Sequence, residues 1–97
     1  MTDNPILQSI AERYPNYHSE NYDNLFTTSN VLCLRKDPQG KGIILQIKSE
    51  APQIITLYGV RTRDLQNCAH DNDIHIDLND PHSLDKMFKL IEERLES

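Results

Sequence analysis

The hydrophobic residues near both ends of the chain recur every three to four positions, which is the period of an amphipathic helix. The N-terminal set is Ile6, Leu7, Ile10, Ala11 and Tyr14. The C-terminal set is Leu84, Met87, Phe88, Ile91 and Leu95. Each set follows a capping residue and a proline, Asn4-Pro5 and Asp80-Pro81, a pair typical of a helix start. We therefore predict one helix at each end, the first of which stops at Pro15.

Between these helices the pattern changes to that of strands. Residues 31–36, 43–48 and 54–60 are apolar runs or alternate between apolar and polar positions. The segments Asp-Pro-Gln-Gly at 37–40 and Glu-Ala-Pro at 50–52 are rich in turn-forming residues and separate the three runs. This arrangement predicts an antiparallel meander.

A shorter alternation follows the meander. Its apolar positions are Ile74, Ile76 and Leu78, with His75 and Asp77 between them. It predicts a short, half-exposed fourth strand. Residues 16–24 are mostly polar, and we interpret them as an irregular connection. Residues 62–72 are compatible with one or two helical turns or with a loop.

The order α-β-β-β-(β)-α predicts an α+β fold, in which an antiparallel sheet of three to four strands carries the N-terminal and C-terminal helices on one face. A length of 97 residues fits one domain, 1–97. The other face of the sheet is expected to present Ile44, Gln46 and Lys48, with either Leu57 or Tyr58. A face of this mixed character would be wetted by solvent or covered by a partner.

Composition and charge limit the kinds of partner and the location that we expect for this chain. The formal net charge is −5, and residues 62–81 alone contribute one positive and five negative side chains. Such a chain is a poor match for nucleic acid, whose binding depends on Lys and Arg, and a better match for a protein with a basic surface. The absence of an apolar run of about 20 residues argues against a membrane span. With two cysteines and no signal-like start at residue 1, a cytoplasmic location is expected.

One segment gathers the residue types used by metal sites and by thiol enzymes. Its candidates are Cys68, His70, Asp71, Asp73, His75 and Asp77. If residues 74–78 form a strand, His75 and Asp77 share one of its faces, which is compatible with joint metal ligation. Cys68 beside a histidine could also supply a nucleophile and its base. The spacing matches no zinc signature, and a solvated strand edge explains the same residues, so we predict no metal and no cofactor.

Two features favour a binding role. Tyr17 and Tyr22 lie in a polar stretch, and tyrosine is enriched among residues that dominate protein interfaces. A second set of residues, clustered in the meander, is basic and opposite in sign to the acidic 64–80 segment; it consists of Arg35, Lys36, Lys41, Lys48, Arg61 and Arg63.

The sequence therefore predicts a small module that binds and masks a partner protein, as an inhibitor, an immunity-type protein or a chaperone-like adaptor does. The predicted contact residues are Tyr17, Tyr22, Asp71, Asp73 and Asp77. The alternatives are a metal- or thiol-dependent enzyme centred on Cys68, His70 and His75, and a homo-oligomeric structural module.

Overall fold

The computed structural model of the chain describes residues 4–21, 29–38, 41–60 and 73–96. Within these residues, two helices flank five strands. The elements are α1 (Pro5–Arg13), β1 (His18–Asn21), β2 (Ser29–Arg35), β3 (Gly42–Lys48), β4 (Ile54–Val60), β5 (Ile74–Asp77) and α2 (Pro81–Glu96). Every strand pairs antiparallel with its neighbour in sequence, in the order β1-β2-β3-β4-β5. The predicted α+β fold, an antiparallel meander with flanking helices, is confirmed.

The sheet has one strand more than the predicted three to four. The additional strand, β1, lies inside the stretch 16–24 that the sequence pattern indicated to be irregular. Its residues His-Ser-Glu-Asn lack any apolar alternation, and three of the four are exposed. Pairing with β2, from His18 opposite Arg35 to Asn21 opposite Leu32, makes this segment a strand. Tertiary context here overrides the weak local preference of polar residues.

Both helices begin at the predicted caps. The Asn4 Oδ1 atom accepts hydrogen bonds from the backbone N–H groups of Ile6 and Leu7, at 2.9 and 3.2 Å. Asp80 accepts from the His82 backbone N–H and from the Ser83 hydroxyl, both at 3.0 Å. These two donors, the Ser83 hydroxyl foremost, lower the pKa of the Asp80 carboxyl from its ordinary value. In the described part of the chain, no helix has the length and apolar character that crossing a lipid bilayer requires.

The helices cover one face of the sheet and enclose the main core. It consists of Leu7, Ile10, Tyr14, Leu32, Leu34, Ile43, Leu45, Ile47, Ile55, Leu57, Ile76, Met87, Ile91 and Leu95. Within the predicted stripe of α2, the line Met87, Ile91 and Leu95 is fully buried on the sheet. Leu84 and Phe88 are only half-buried, because they lie on the side of the helix that borders α1.

The opposite face of the sheet is also buried along its centre, which differs from the mixed surface expected. Ile44 is 1% exposed and pairs with Tyr58, which is 4% exposed, so the register places Tyr58 rather than Leu57 on this face. Cys33, opposite Ile44 on β2, is fully buried. Lys48 remains exposed at the end of β3. Burial on both faces explains why β2 and β3 contain runs rather than alternations of apolar residues.

Arg35 was expected to contribute to a basic surface, and this expectation was wrong. Its side chain is fully buried on the face opposite the helices, with its Nε atom 3.7 Å from Oε1 of Glu20. The same carboxylate oxygen lies 3.2 Å from Nε2 of His18. Gly42 is the cross-strand neighbour of Arg35, and a Cβ atom there would lie 2.8 Å from the Cγ atom of Arg35. The arginine stem thus occupies the space that a side chain on Gly42 would need.

Candidate functional site

The acidic edge, which we define as Asp73 and Asp77 with His75 between them, lies along the outer strand β5. All three side chains are exposed. Alternation along β5 places His75 and Asp77 on the sheet face opposite the helices, where they pair with Thr56 and Ile54 of β4. Within the described part of the chain, no ion pair neutralises the carboxylate of Asp73 or that of Asp77.

A shallow concavity of about 360 Å³ surrounds the end of β5. His75 and Asp77 line it together with Gln53, Ile54 and Asn79. The Asp77 carboxylate accepts a hydrogen bond from the Asn79 backbone N–H at 2.9 Å, which orients the side chain at the strand end. The concavity thus combines a fixed carboxylate, an imidazole and two amides, a set suited to polar and cationic groups of a partner.

The predicted metal- or thiol-dependent centre is only partly within the described residues. His75 and Asp77 share a face as the alternation predicted, with Cα atoms about 6–7 Å apart along an extended strand. Cys68, His70 and Asp71 lie outside the described residues. Across the described ranges, no three ligand-type side chains converge on a common point. The described geometry therefore supplies two candidate ligands and no complete site.

Tyr17, predicted as a contact residue, joins two distant parts of the chain. Its ring stacks on Tyr14 with centroids 5.6 Å apart, and its hydroxyl donates to Oε1 of Glu96 at 2.5 Å. The second oxygen of Glu96 accepts from Lys36 Nζ at 2.9 Å. The side chain thus anchors the segment before β1 to the end of α2. Tyr22, the other predicted tyrosine, lies outside the described residues.

The hydrogen bonds between Tyr17, Glu96 and Lys36 shift the pKa values of Tyr17 and Glu96. The interaction with Glu96 raises the pKa of Tyr17 to about 12, because the protonated hydroxyl is the donor. The same hydrogen bond, with the Lys36 ammonium as a further cause, holds the pKa of Glu96 below its usual range. Burial raises the pKa of the neighbouring Tyr14 hydroxyl. The pairing of Glu96 with Lys36 was not predicted from the sequence, since 60 residues separate the two and no local pattern connects them.

Comparisons with protein-family models, with curated proteins and with solved structures find no match to this chain.

Proposed function

We propose that this chain is a protein-interaction module that binds a partner with a basic surface through the acidic edge. The observation that carries the proposal is the exposure of Asp73 and Asp77 without an ion-pair partner among the described residues. Carboxylates in this state attract a cationic partner before contact and accelerate its association. Masking of the partner's surface would be the biochemical outcome.

The form of the outer strands favours contact through side chains over addition of a further strand. β1 and β5 have four residues each, whereas β2, β3 and β4 have seven each. Short outer strands with charged side chains are a common protection against pairing between sheet edges. In β5 the outward side chains of His75 and Asp77 provide this protection. The same side chains are then the groups that meet a partner.

Affinity capture from the native host tests this function. The bait is the full chain, compared with Asp71→Asn/Asp73→Asn/Asp77→Asn, where Asp71 is included because it belongs to the same predicted acidic group. A matched control, Glu12→Gln/Glu50→Gln/Glu93→Gln, removes the same amount of charge from exposed positions elsewhere. We expect a protein with a basic surface that is retained by the parental chain and by the control but lost with the Asn variant. Equal retention by all three baits would refute the role of the acidic edge.

A further inference from the structure

The concavity at the end of β5 brings a carboxylate beside an apolar side chain. Ile54 of β4 is the cross-strand neighbour of Asp77. The next pair along the two strands, Ile55 with Ile76, belongs to the core under the helices, so Ile54 and Asp77 lie on the opposite face. Ile54 is only half-buried, and Asp77 is exposed. This combination suits a ligand with a cationic head on an apolar stem.

Backbone hydrogen bonds hold the concavity in shape. The Oδ1 atom of Asp77 accepts from the Asn79 backbone N–H at 2.9 Å. The backbone carbonyl of Asp77 accepts from the Asp80 N–H at 3.1 Å, and the Leu78 N–H donates to the Gln53 carbonyl at 2.9 Å. The last bond joins the segment after β5 to the segment before β4. The carboxylate is therefore positioned before a partner arrives, which reduces the ordering cost of binding.

The charge at this concavity is that of Asp77, which forms no ion pair within the described residues. A cation on the same sheet face, Lys48, belongs to β3, and β4 lies between β3 and β5. The spacing of two strands places its backbone about 10 Å from that of Asp77. Asp73, which is also exposed, lies four residues before Asp77 and outside the lining. Charge complementarity at the concavity itself therefore favours a cation.

Among cationic side chains, arginine fits these groups better than lysine. Its planar guanidinium has five N–H donors and can bond both oxygens of a carboxylate, whereas the lysine ammonium is a compact, strongly hydrated charge. The side-chain carbonyl groups of Gln53 and Asn79 supply further acceptors in the lining. His75 supplies an aromatic ring, and guanidinium groups stack on such rings. The apolar stem of arginine can cover Ile54.

We propose that this concavity receives one arginine side chain of the partner protein. The guanidinium bonds to Asp77 and stacks on His75, and its stem packs on Ile54. The space of about 360 Å³ is sufficient, since a cavity of roughly 150 Å³ already accommodates benzene, which is larger than a guanidinium group. The inference rests on the proposed function and specifies which side chain of a basic partner the acidic edge recognises.

Three blocked amino acids serve as probes, namely the N-acetyl methylamides of arginine, lysine and citrulline. Citrulline has the shape of arginine without its charge. Each is titrated into the isotope-labelled full chain at low salt and followed by nuclear magnetic resonance. We expect the arginine probe to shift the amide signals of His75, Asp77 and Asn79. The lysine probe should bind about 10-fold more weakly, since it forgoes one charge-assisted hydrogen bond, and the citrulline probe more weakly still.

Variants of the chain distinguish contact from long-range attraction. Asp77→Asn removes the charge but keeps an acceptor for the Asn79 N–H, so the turn should stay folded. It should weaken the arginine probe about 10- to 100-fold, as loss of charge-assisted hydrogen bonds does. Asp73→Asn removes the same charge from outside the concavity and should cost less than about 5-fold. His75→Ala should reduce the preference for arginine over lysine, whereas His75→Phe, which keeps a ring, should retain it.

The outcomes separate this inference from the proposed function. Equal weakening by Asp77→Asn and Asp73→Asn, equal binding of the arginine and lysine probes, or no shift at the concavity would overturn the arginine site. Each of these results would leave standing the long-range attraction of a basic partner to the acidic edge. A captured partner that binds the triple Asn variant as well as the parent, while the arginine probe still requires Asp77, would instead refute the proposed function alone.

Discussion

At the scale of single residues, Gly42 is a position where the fold leaves no room for a side chain. A Cβ atom there would lie 2.7 Å from the Leu34 carbonyl oxygen and 2.8 Å from the Arg35 Cγ atom. Because one of these atoms belongs to the backbone of a paired strand, Gly42→Ala should lower the free energy of unfolding by about 1–3 kcal/mol. Urea denaturation measures this change. Lys48→Ala, at the exposed end of the same strand, is the control and should stay within about 0.5 kcal/mol of the parent.

The Tyr17–Glu96 hydrogen bond predicts a dependence of stability on pH at both extremes. Folding lowers the pKa of Glu96 from its ordinary value of 4.5. The stabilisation that this carboxylate contributes is therefore complete above pH 4.5 and is lost as the pH falls. Folding raises the pKa of Tyr17 from its ordinary value of 10.0 to about 12. The stabilisation that its protonated hydroxyl contributes is therefore complete below pH 10.0 and is lost as the pH rises towards 12. Urea midpoints at acidic, neutral and alkaline pH should show both losses.

Two variants assign these losses to their groups. Tyr17→Phe should remove the loss of stability at alkaline pH that belongs to this hydroxyl. It should also reduce the loss of stability at acidic pH, since the hydrogen bond is the largest cause of the lowered Glu96 pKa. Lys36→Gln should reduce the acidic loss alone, because Lys36 is not among the causes of the Tyr17 shift. Identical pH profiles for the parent and Tyr17→Phe would contradict the role assigned to this contact.

At the scale of elements, α2 owes its position to one buried line of side chains. Ile91 is fully buried beneath the helix, so Ile91→Ala should cost about 2–5 kcal/mol of unfolding free energy. Phe88→Ala should cost less unfolding free energy than the same substitution at a fully buried phenylalanine, because Phe88 is only half-buried beside α1. Lys89→Ala, exposed on the same helix, is the reference. If Phe88→Ala destabilised the chain more than Ile91→Ala, the orientation of α2 would be wrong.

The elements that could be predicted are those in which apolar residues recur with the period of a helix or of a strand. The helices combine an apolar stripe with a capping side chain, and Asn4 and Asp80 cap them as expected. The strands after residue 30 show their apolar positions clearly. β1 could not be predicted, because it is held by backbone pairing with β2 while its side chains are polar. The run from Val31 to Leu34 indicated a strand but not that both of its faces are buried.

At the scale of the whole molecule, the distribution of charge depends on which charged residues reach the surface, and only the folded chain decides this. Arg35 is buried and Lys36 is paired with Glu96, so two of the predicted basic residues add little to an exposed positive field. Asp80 is likewise engaged in capping α2. Asp73 and Asp77 remain exposed. The acidic edge could therefore be proposed from the sequence, whereas the burial of Arg35 and the pairing of Lys36 with Glu96 could not.

The association rate of the captured partner, measured by surface plasmon resonance, tests the central claim most directly. Asp71→Asn/Asp73→Asn/Asp77→Asn should associate much more slowly than the parent at low salt. The two rates should converge near about 0.5 M salt, where the Debye length shrinks to roughly 4–5 Å. Dissociation should change less, because exposed charges act mainly on association. Association of the Asn variant at the parental rate in low salt would contradict the account and leave the acidic edge as an ordinary solvated strand.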